Sequence, residues 1–299
     1  MQTRIGDLGQ NRRLTSTMLE IQARNRADQQ AVASGKAATS YAQIADSAGV
    51  LVRAKDARQL KNAMVERNTQ LTTRLQSTDA ALGRLVAIAE RAKSLLVQRL
   101  DGATGADVPI AAETQSMLGE VANGLNASFD GNYLFGGSLN SQPPVDLPAT
   151  PMTTADAALY YRGDAVRPTA TVEDGAEIEH GVLASDPPFA QLIAALGLAG
   201  AAASDGDPSR LQAALGQADA ALDGLIDLRS GLAVKSARVE SASQSLQSTV
   251  DYLDQTISGV EDTDMPTVMA RLSRDQASLE ASYLVISRLN GLSLAEYLR

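Results

Sequence analysis

The chain has 299 residues, a net charge of −9, 44% hydrophobic residues and 20% charged residues, which is typical of a folded protein with room for two or three domains. Cysteine and tryptophan are absent and histidine occurs once, so disulfides, thiolate nucleophiles and thiolate metal ligands are excluded. The polar N-terminal stretch does not resemble a secretory signal, and no run of about 18 apolar residues is evident. We therefore expect no membrane insertion.

The charges are unevenly distributed along the chain. Residues 1–100 carry sixteen Lys and Arg and eight Asp and Glu, a net charge of +8, whereas residues 101–299 carry −17. The cations from Arg53 to Arg91 are spaced two to ten residues apart, without a tight patch and without interleaved aromatic side chains for base stacking. We therefore expect the basic segment to face the acidic one, and we expect no nucleic-acid partner.

Two helices are predicted in the first third of the chain. Residues 1–40 carry an apolar stripe at helical spacing, formed by Ile5, Leu8, Leu14, Met18 and Ile21. A proline-free helix then runs from residue 41 to residue 100, and its predicted core positions are Leu75, Leu82, Leu85 and Leu96. A third helix is expected from about Asp107, with Pro109 in its first turn, to Phe129.

The composition changes in residues 136–203. Seven of the ten prolines of the chain lie there, and β-branched and aromatic residues alternate with glycine and aspartate, as in short strands joined by turns. We predict a small β-rich inserted domain in this segment. It interrupts a long antiparallel helical rod, similar to a coiled-coil bundle, that is formed by residues 41–135 and 204–264.

The second half of the rod is predicted from a heptad repeat. Asp207 is a suitable N-cap, and Pro208 suits the first helical turn. Every seventh position after Pro208 is apolar from residue 211 to residue 260. The core residues predicted from this repeat are Leu211, Leu225, Leu232, Val239, Leu246, Leu253 and Val260, together with Ala218.

The last predicted helix, in residues 265–299, carries a second apolar stripe without a partner inside the rod. Its predicted interface consists of Leu272, Leu279, Tyr283, Ile286, Leu289, Leu292, Leu294, Tyr297 and Leu298. A helix of this length gains most of its stability by burying such a face. We therefore predict that residues 1–40 and 265–299 are assembly helices, disordered in the free subunit and paired with each other on assembly.

Candidate chemistry is sparse. His180, the single histidine, lies in an alternating segment where a solvent-facing strand or turn position is expected rather than a general base. Asp262 and Asp264 lack the glycine-spaced ligand loop of a calcium site, so we expect an N-cap or a turn before Pro266. We predict no catalytic, cofactor-binding or metal-binding residues and no enzymatic activity.

Four motifs, taken in order, resemble the flagellin family. They are ASGKAAT at 33–39, GNYLFGGSLNSQPPV at 131–145, YRGD at 161–164 and LNGLSLAEYLR at 289–299. Within the family, the last motif is similar to the ending of hook-filament junction proteins. The segment after the first motif departs from the serine-aspartate-aspartate-proline loop of many relatives.

The resemblance implies a structural subunit of the bacterial flagellum that joins hook and filament by self-assembly through its terminal helices. It further implies secretion by flagellar type III export. The implied partners are further copies of the subunit in a ring, the adjacent hook-associated junction protein, flagellin, an export chaperone and the export apparatus. A filament flagellin is the alternative within the family, and an intracellular coiled-coil adaptor is an alternative of a different class.

Overall fold

The computed structural model describes residues 2–37, 45–101, 109–205 and 207–297. This part of the chain is mainly α-helical, as predicted. Its helices are α1 (Gln2–Ser34), α2 (Ala45–Leu100), α3 (Ile110–Leu125), α4 (Pro187–Asp205), α5 (Pro208–Glu261) and α6 (Met265–Tyr297). Its strands are β1 (Ser128–Phe129), β2 (Asn132–Tyr133), β3 (Thr169–Glu173) and β4 (Ala176–Glu179), which form two antiparallel two-stranded sheets, β1-β2 and β3-β4.

The chain forms two compact units. One consists of Met1–Leu60 and Thr249–Arg299, and the other of Lys61–Ser248, so α2 and α5 contribute residues to both. Within each unit, charged side chains of α2 form ion pairs with side chains of opposite charge on α5. As the residue number increases along α2, the residue number of its partner on α5 decreases. The pairs are Lys55–Glu261 and Arg58–Asp254 in the first unit, and Asp79–Arg229 (with the charges exchanged) and Lys93–Asp219 in the second. In both units α2 and α5 are therefore antiparallel.

The heptad stripe of α5 lies in the interior. Leu211, Ala218, Leu225, Leu232, Val239 and Leu246 are at most 8% exposed. Leu75, Leu82, Leu85 and Leu96 of α2 are at most 2% exposed. In the first unit Leu253 and Val260 are half-buried against Leu51, Ala54 and Ile257. These are the positions that the repeat assigns to the core, because residues seven apart on a helix fall on one face.

The helix ends follow from capping chemistry. Asp207 caps α5, because its carboxylate accepts hydrogen bonds from the backbone N–H of Ser209 (2.9 Å) and from the Ser209 hydroxyl (2.7 Å). The predicted bounds of α3 are wrong at both ends. Pro109 lies before the helix rather than in its first turn, and the helix stops at Leu125, so that Phe129 lies in β1 instead.

Residues 136–203 contain less regular β-structure than their composition predicts. They hold one hairpin, an isolated bridge between Val145 and Tyr161, a short 3-10 helix (Ala157–Leu159) and most of α4. Val145, Tyr160, Phe189 and Ile193 share an apolar cluster with α2, α3 and α5. The segment supplies part of the common core of residues 61–248, and its status as an inserted domain stays a prediction.

Helix α4 packs closely on α3. Ala195, Ala199 and Ala202 are buried in one cluster with Ile110, and Gly200 lies next to the Thr114 hydroxyl. By length and composition, Pro187–Ser204 also meets the criterion for a membrane span, with a mean hydropathy of 1.3, which was not expected from the sequence. Since 56% of this window is buried inside the protein, the apolar composition of α4 is explained by its place in the core.

Two of the four motifs, GNYLFGGSLNSQPPV and YRGD, are in contact with each other. Asp164 of YRGD accepts hydrogen bonds from the backbone N–H groups of Ser138 (2.9 Å) and Val166 (3.1 Å) and from the Ser138 hydroxyl. These donors hold the pKa of the Asp164 carboxyl below its usual value, with the Ser138 hydroxyl contributing most. Gly137 has a positive φ of 72° beside this carboxylate, where a Cβ atom would clash with it.

The β3-β4 hairpin lies on α2 and α5. The buried Asn68 amide donates a hydrogen bond of 2.9 Å to the Val172 carbonyl, and Ser245 donates one of 3.0 Å to Glu173. Directly after β4, His180 is 9% exposed, so the expectation of a solvent-facing histidine is wrong. Burial is the main cause that lowers the pKa of His180 to about 4, and the positive charges of Arg74 on α2 and Lys235 on α5 contribute to the same shift.

We predict that replacing Leu232 with Asp lowers the free energy of unfolding by at least about 3 kcal/mol, because an unpaired charge is placed in the core. The matched control is Gln244→Asp on an exposed position of the same helix, which should cost under about 0.5 kcal/mol. Urea denaturation at neutral pH measures both values. Equal losses in the two variants would show that the buried stripe does not hold the helices together.

A second prediction concerns acid stability. Because the pKa of His180 is about 4 in the folded chain and near 6.5 in the unfolded chain, the unfolded chain binds more protons between these values. Stability is therefore lost as the pH falls from about 6.5 to about 4, by on the order of 3 kcal/mol. Urea denaturation at pH 7 and 4.5 should show that His180→Gln loses less stability on acidification than the unchanged chain. The same pH dependence in both proteins would contradict the prediction.

Candidate assembly interface

The two terminal helices pack against each other. The α1 residues that face inward recur at spacings of three and four, as in a coiled coil. They are Leu14, Met18, Ile21, Asn25, Asp28 and Val32, which are buried or half-buried. The corresponding α6 residues are Val268, Leu272, Asp275, Leu279, Ser282 and Ile286. The pairing predicted for the assembled state is thus present within one chain, while disorder of these helices in the free subunit stays a prediction.

Two Arg–Asp pairs join α1 to α6. Arg24 donates to both carboxylate oxygens of Asp275 at 2.7 and 3.3 Å, and Arg271 donates to both oxygens of Asp28 at 2.8 and 2.7 Å. The hydrogen bonds to these carboxylates raise the pKa of each guanidinium. Such two-point contacts define the position of one helix along the other more closely than a point charge does.

The centre of this helix pair is polar. Asp28 is 4% exposed, Asp275 is 6% exposed and Asn25 is 7% exposed. Asn25 accepts a hydrogen bond of 3.1 Å from Gln29, so its amide is partly satisfied within α1. A buried carboxylate is costly unless it is paired, so the Arg–Asp contacts are required for this packing.

The Ser-Gly-Lys motif ends α1 and ties it to the end of α5. Gly35 takes a positive φ of 69°, which suits the residue after a helix. Lys36 forms a β-bridge with Asp262, supported by hydrogen bonds from Ala37 N–H to the Glu261 carbonyl (2.7 Å) and from Thr263 N–H to the Gly35 carbonyl (2.9 Å).

Glu261 links three parts of the first unit. Its carboxylate binds the ammonium groups of Lys36, just after α1, and Lys55, on α2. Hydrogen bonds from Lys36 and then Lys55 are the main causes of the lowered pKa of Glu261. A few residues later, Asp264 accepts hydrogen bonds from the Thr267 hydroxyl (2.6 Å) and backbone N–H (3.4 Å), which confirms the predicted cap before Pro266.

The predicted interface residues have different positions in the structure. Met18 and Ile21 are buried, and Leu14, Leu272, Leu279 and Ile286 are half-buried, all within the α1–α6 contact. Tyr283 is 53% exposed and accepts a hydrogen bond of 2.8 Å from the Gln22 amide. The side chains of Ile5, Leu8, Leu289, Leu292, Leu294, Tyr297 and Leu298 lie outside the described residues.

The same two helices also carry exposed apolar side chains that were not predicted from the sequence. Leu19, Met265, Met269, Leu284 and Val285 are between 38% and 58% exposed. They lie off the inward-facing positions, so a search for a single heptad stripe could not find them. Such residues can be recognised in a sequence as apolar side chains on the polar face of an amphipathic helix.

The described residues offer no constellation typical of catalysis. Within them, no group of three or more His, Asp or Glu side chains is placed to hold a metal ion. A groove of about 650 Å³ lies between α2 and α5 and contains Asp79 and Arg229, which are paired with each other.

We predict that the backbone amides of α1 and α6 exchange with deuterium faster than those of residues 71–96 in α2. The α1–α6 contact has a polar centre, whereas residues 71–96 line an apolar cluster, so local opening of the terminal pair costs less free energy. Hydrogen exchange followed by mass spectrometry on the full chain measures this. Equal protection of the two regions would contradict the prediction.

The C-terminal helices of the chain match a known protein family. Residues 215–298, which include most of α5 and all of α6, match the family described as the bacterial flagellin C-terminal helical region. A search of the curated proteins finds no match.

Two solved structures are similar in fold. The crystal structure of Bacillus cereus FlgL aligns with a TM-score of 0.56 and 18% identity, over 70% of this chain and 99% of that one. A putative flagellar hook-associated protein from Vibrio parahaemolyticus aligns with a TM-score of 0.58 and 12% identity, over 74% of this chain and 100% of that one. The chain therefore has the fold of these two flagellar proteins, and its C-terminal helices are similar to those of bacterial flagellin.

Proposed function

We propose that this protein is a structural subunit of the bacterial flagellum, and that it forms the junction between hook and filament by self-assembly through α1 and α6. The observation that carries the proposal is the match of residues 215–298 to the flagellin C-terminal helical region. This match covers α6, which together with α1 forms the terminal helix pair. The likeness in fold to FlgL and to a hook-associated protein favours the junction over other positions in the flagellum.

The surface chemistry supports a role in assembly. A subunit that joins others needs contact surface rather than a cleft, and exposed apolar side chains on a helix pair provide it. Met269 is 52% exposed and Leu284 is 57% exposed on α6, while Leu19 is 58% exposed on α1. We propose that these side chains become buried between neighbouring subunits.

The proposed partners follow from the position in the flagellum. They are other copies of the subunit in a ring, an adjacent hook-associated junction protein and flagellin. We further propose that the subunit reaches this position by flagellar type III export with the help of an export chaperone, and that it has no enzymatic activity.

A second candidate is a filament flagellin, which the match of residues 215–298 to the flagellin family favours. The two functions differ in what loss of the gene does. A strain without the junction subunit should keep its hooks and release flagellin into the medium, whereas a strain without filament flagellin should keep its hooks and release none. Electron microscopy of cells and immunoblots of the medium distinguish them. Normal filaments and swimming in the deletion strain would exclude both.

We predict that a chain ending at Asp264 does not restore filaments to the deletion strain. Its α2–α5 core should melt within a few degrees of the full chain, because Lys61–Ser248 has its own apolar core. Swimming assays, electron microscopy and circular dichroism measure these effects. The control is the full chain carrying Gln244→Asp, which should restore swimming, and immunoblots of the medium show whether the truncated chain is exported. An exported, truncated chain that restores filaments would refute the role of α6.

A further inference from the structure

The two Arg–Asp pairs between α1 and α6 form a symmetric pattern. Each helix carries Arg-x-x-x-Asp: Arg24 and Asp28 in α1, and Arg271 and Asp275 in α6. Arg24 binds Asp275 and Arg271 binds Asp28, so the arginine of each helix meets the aspartate of the other. Exchanging the roles of the two helices leaves this pattern unchanged. We refer to these four residues as the Arg–Asp ladder.

The ladder lies where the apolar contact is interrupted. Asp28, Asp275 and Asn25 are buried at the centre of the helix pair, whereas Met18, Ile21 and Val268 supply its buried apolar contacts. Apolar residues repeat along both helices and fit more than one alignment, but buried carboxylates are stable only opposite a cation. We propose that the Arg–Asp ladder determines the register of α1 on α6 and thereby the geometry of the assembly helices; the second part rests on the proposed function.

The neighbouring sequence supports this assignment, because a slip by one heptad removes the partners of both Asp275 and Arg271. A slip of α1 by seven residues moves either Thr17 or Ala31 into the position of Arg24, and neither carries a charge. The same slip moves either Ile21 or Gly35 into the position of Asp28, opposite Arg271. Both aspartate–arginine contacts are therefore lost together, which discriminates strongly against the shifted alignment.

The ladder predicts a charge-reversal pattern that a purely apolar contact would not give. Reversing α1 alone, with Arg24→Asp and Asp28→Arg, places like charges opposite each other at both positions, and so does reversing α6 alone, with Arg271→Asp and Asp275→Arg. Reversing all four residues restores two opposite-charge pairs in the same register. The two half-reversed chains therefore serve as matched controls for the fully reversed one.

The register is measured by cross-linking, which is convenient because the chain has no native cysteine. Gln22 and Tyr283 touch through a hydrogen bond of 2.8 Å, so Gln22→Cys and Tyr283→Cys report the register of the structure with a short bismaleimide. Gln22→Cys with Met269→Cys, which lies two heptads from Tyr283 along α6, is the negative control for the register of the structure. Each cysteine pair is placed in the unchanged, the half-reversed and the fully reversed full-length chains at dilute concentration.

We expect the 22–283 cross-link to form efficiently in the unchanged chain and the 22–269 cross-link to be at background. In either half-reversed chain the 22–283 product should fall at least about tenfold, and in the fully reversed chain it should return to within about twofold of the original. Circular dichroism shows whether the α2–α5 core stays folded in each chain. An undiminished 22–283 product in the half-reversed chains, or no recovery on full reversal, would overturn the inference.

The link to assembly is tested separately in the deletion strain. The fully reversed chain should restore filaments, and the half-reversed chains should not. If the cross-links follow the ladder but all chains restore filaments equally, register control of assembly is refuted while the ladder itself stands. A deletion strain with normal filaments would refute the proposed function and leave the cross-linking result intact.

Discussion

The antiparallel contact between α2 and α5 is the constraint on which the rest of Lys61–Ser248 depends. One face of α5 is apolar at every seventh position, and this face is buried from Leu211 to Leu246. Helices α3 and α4 cover α2 and α5 along one stretch, and the β3-β4 hairpin covers them along another. Each covering element adds its own apolar side chains to a core that two helices alone would leave open to water.

Charge has a second organising role. The excess of cations in the first third of the chain and of acids afterwards becomes a set of pairs between elements that are far apart in sequence. Lys93 pairs with Asp219 at 2.8 Å, and Asp219 raises the pKa of the Lys93 ammonium. Exposed pairs of this kind contribute little to stability, but they disfavour alignments that bring like charges together. In the α1–α6 contact the aspartates are buried, so each of them requires an arginine opposite it.

The sequence predicts those features of the fold that depend on local periodicity or capping. The caps formed by Asp207 and Asp264 follow from residue type and position alone. The burial of His180 could not be predicted, because it depends on α2 and α5 covering a short hairpin end. The end of α3 at Leu125 was missed because the apolar pattern continues into β1.

The candidate interface was predictable only in part. The inward-facing residues Met18 and Ile21 follow from helical spacing, but the spacing does not say whether a stripe meets the same chain or another. The burial of Asp28 could not be read from the sequence, because its partner Arg271 lies 243 residues away. The exposed Leu19 and Met269 were missed because they lie outside any single stripe.

The sequence distance between α1 and α6 has a consequence for biosynthesis. The contacts Arg24–Asp275 and Arg271–Asp28 span 251 and 243 residues, so α1 leaves the ribosome long before its partner exists. Pairing over such a distance is slow, because a long loop must close before the contact forms. During translation α1 must therefore remain single without aggregating. The many Arg and Gln residues of α1 keep it soluble before α6 is synthesised, since a strongly apolar helix would aggregate with other chains.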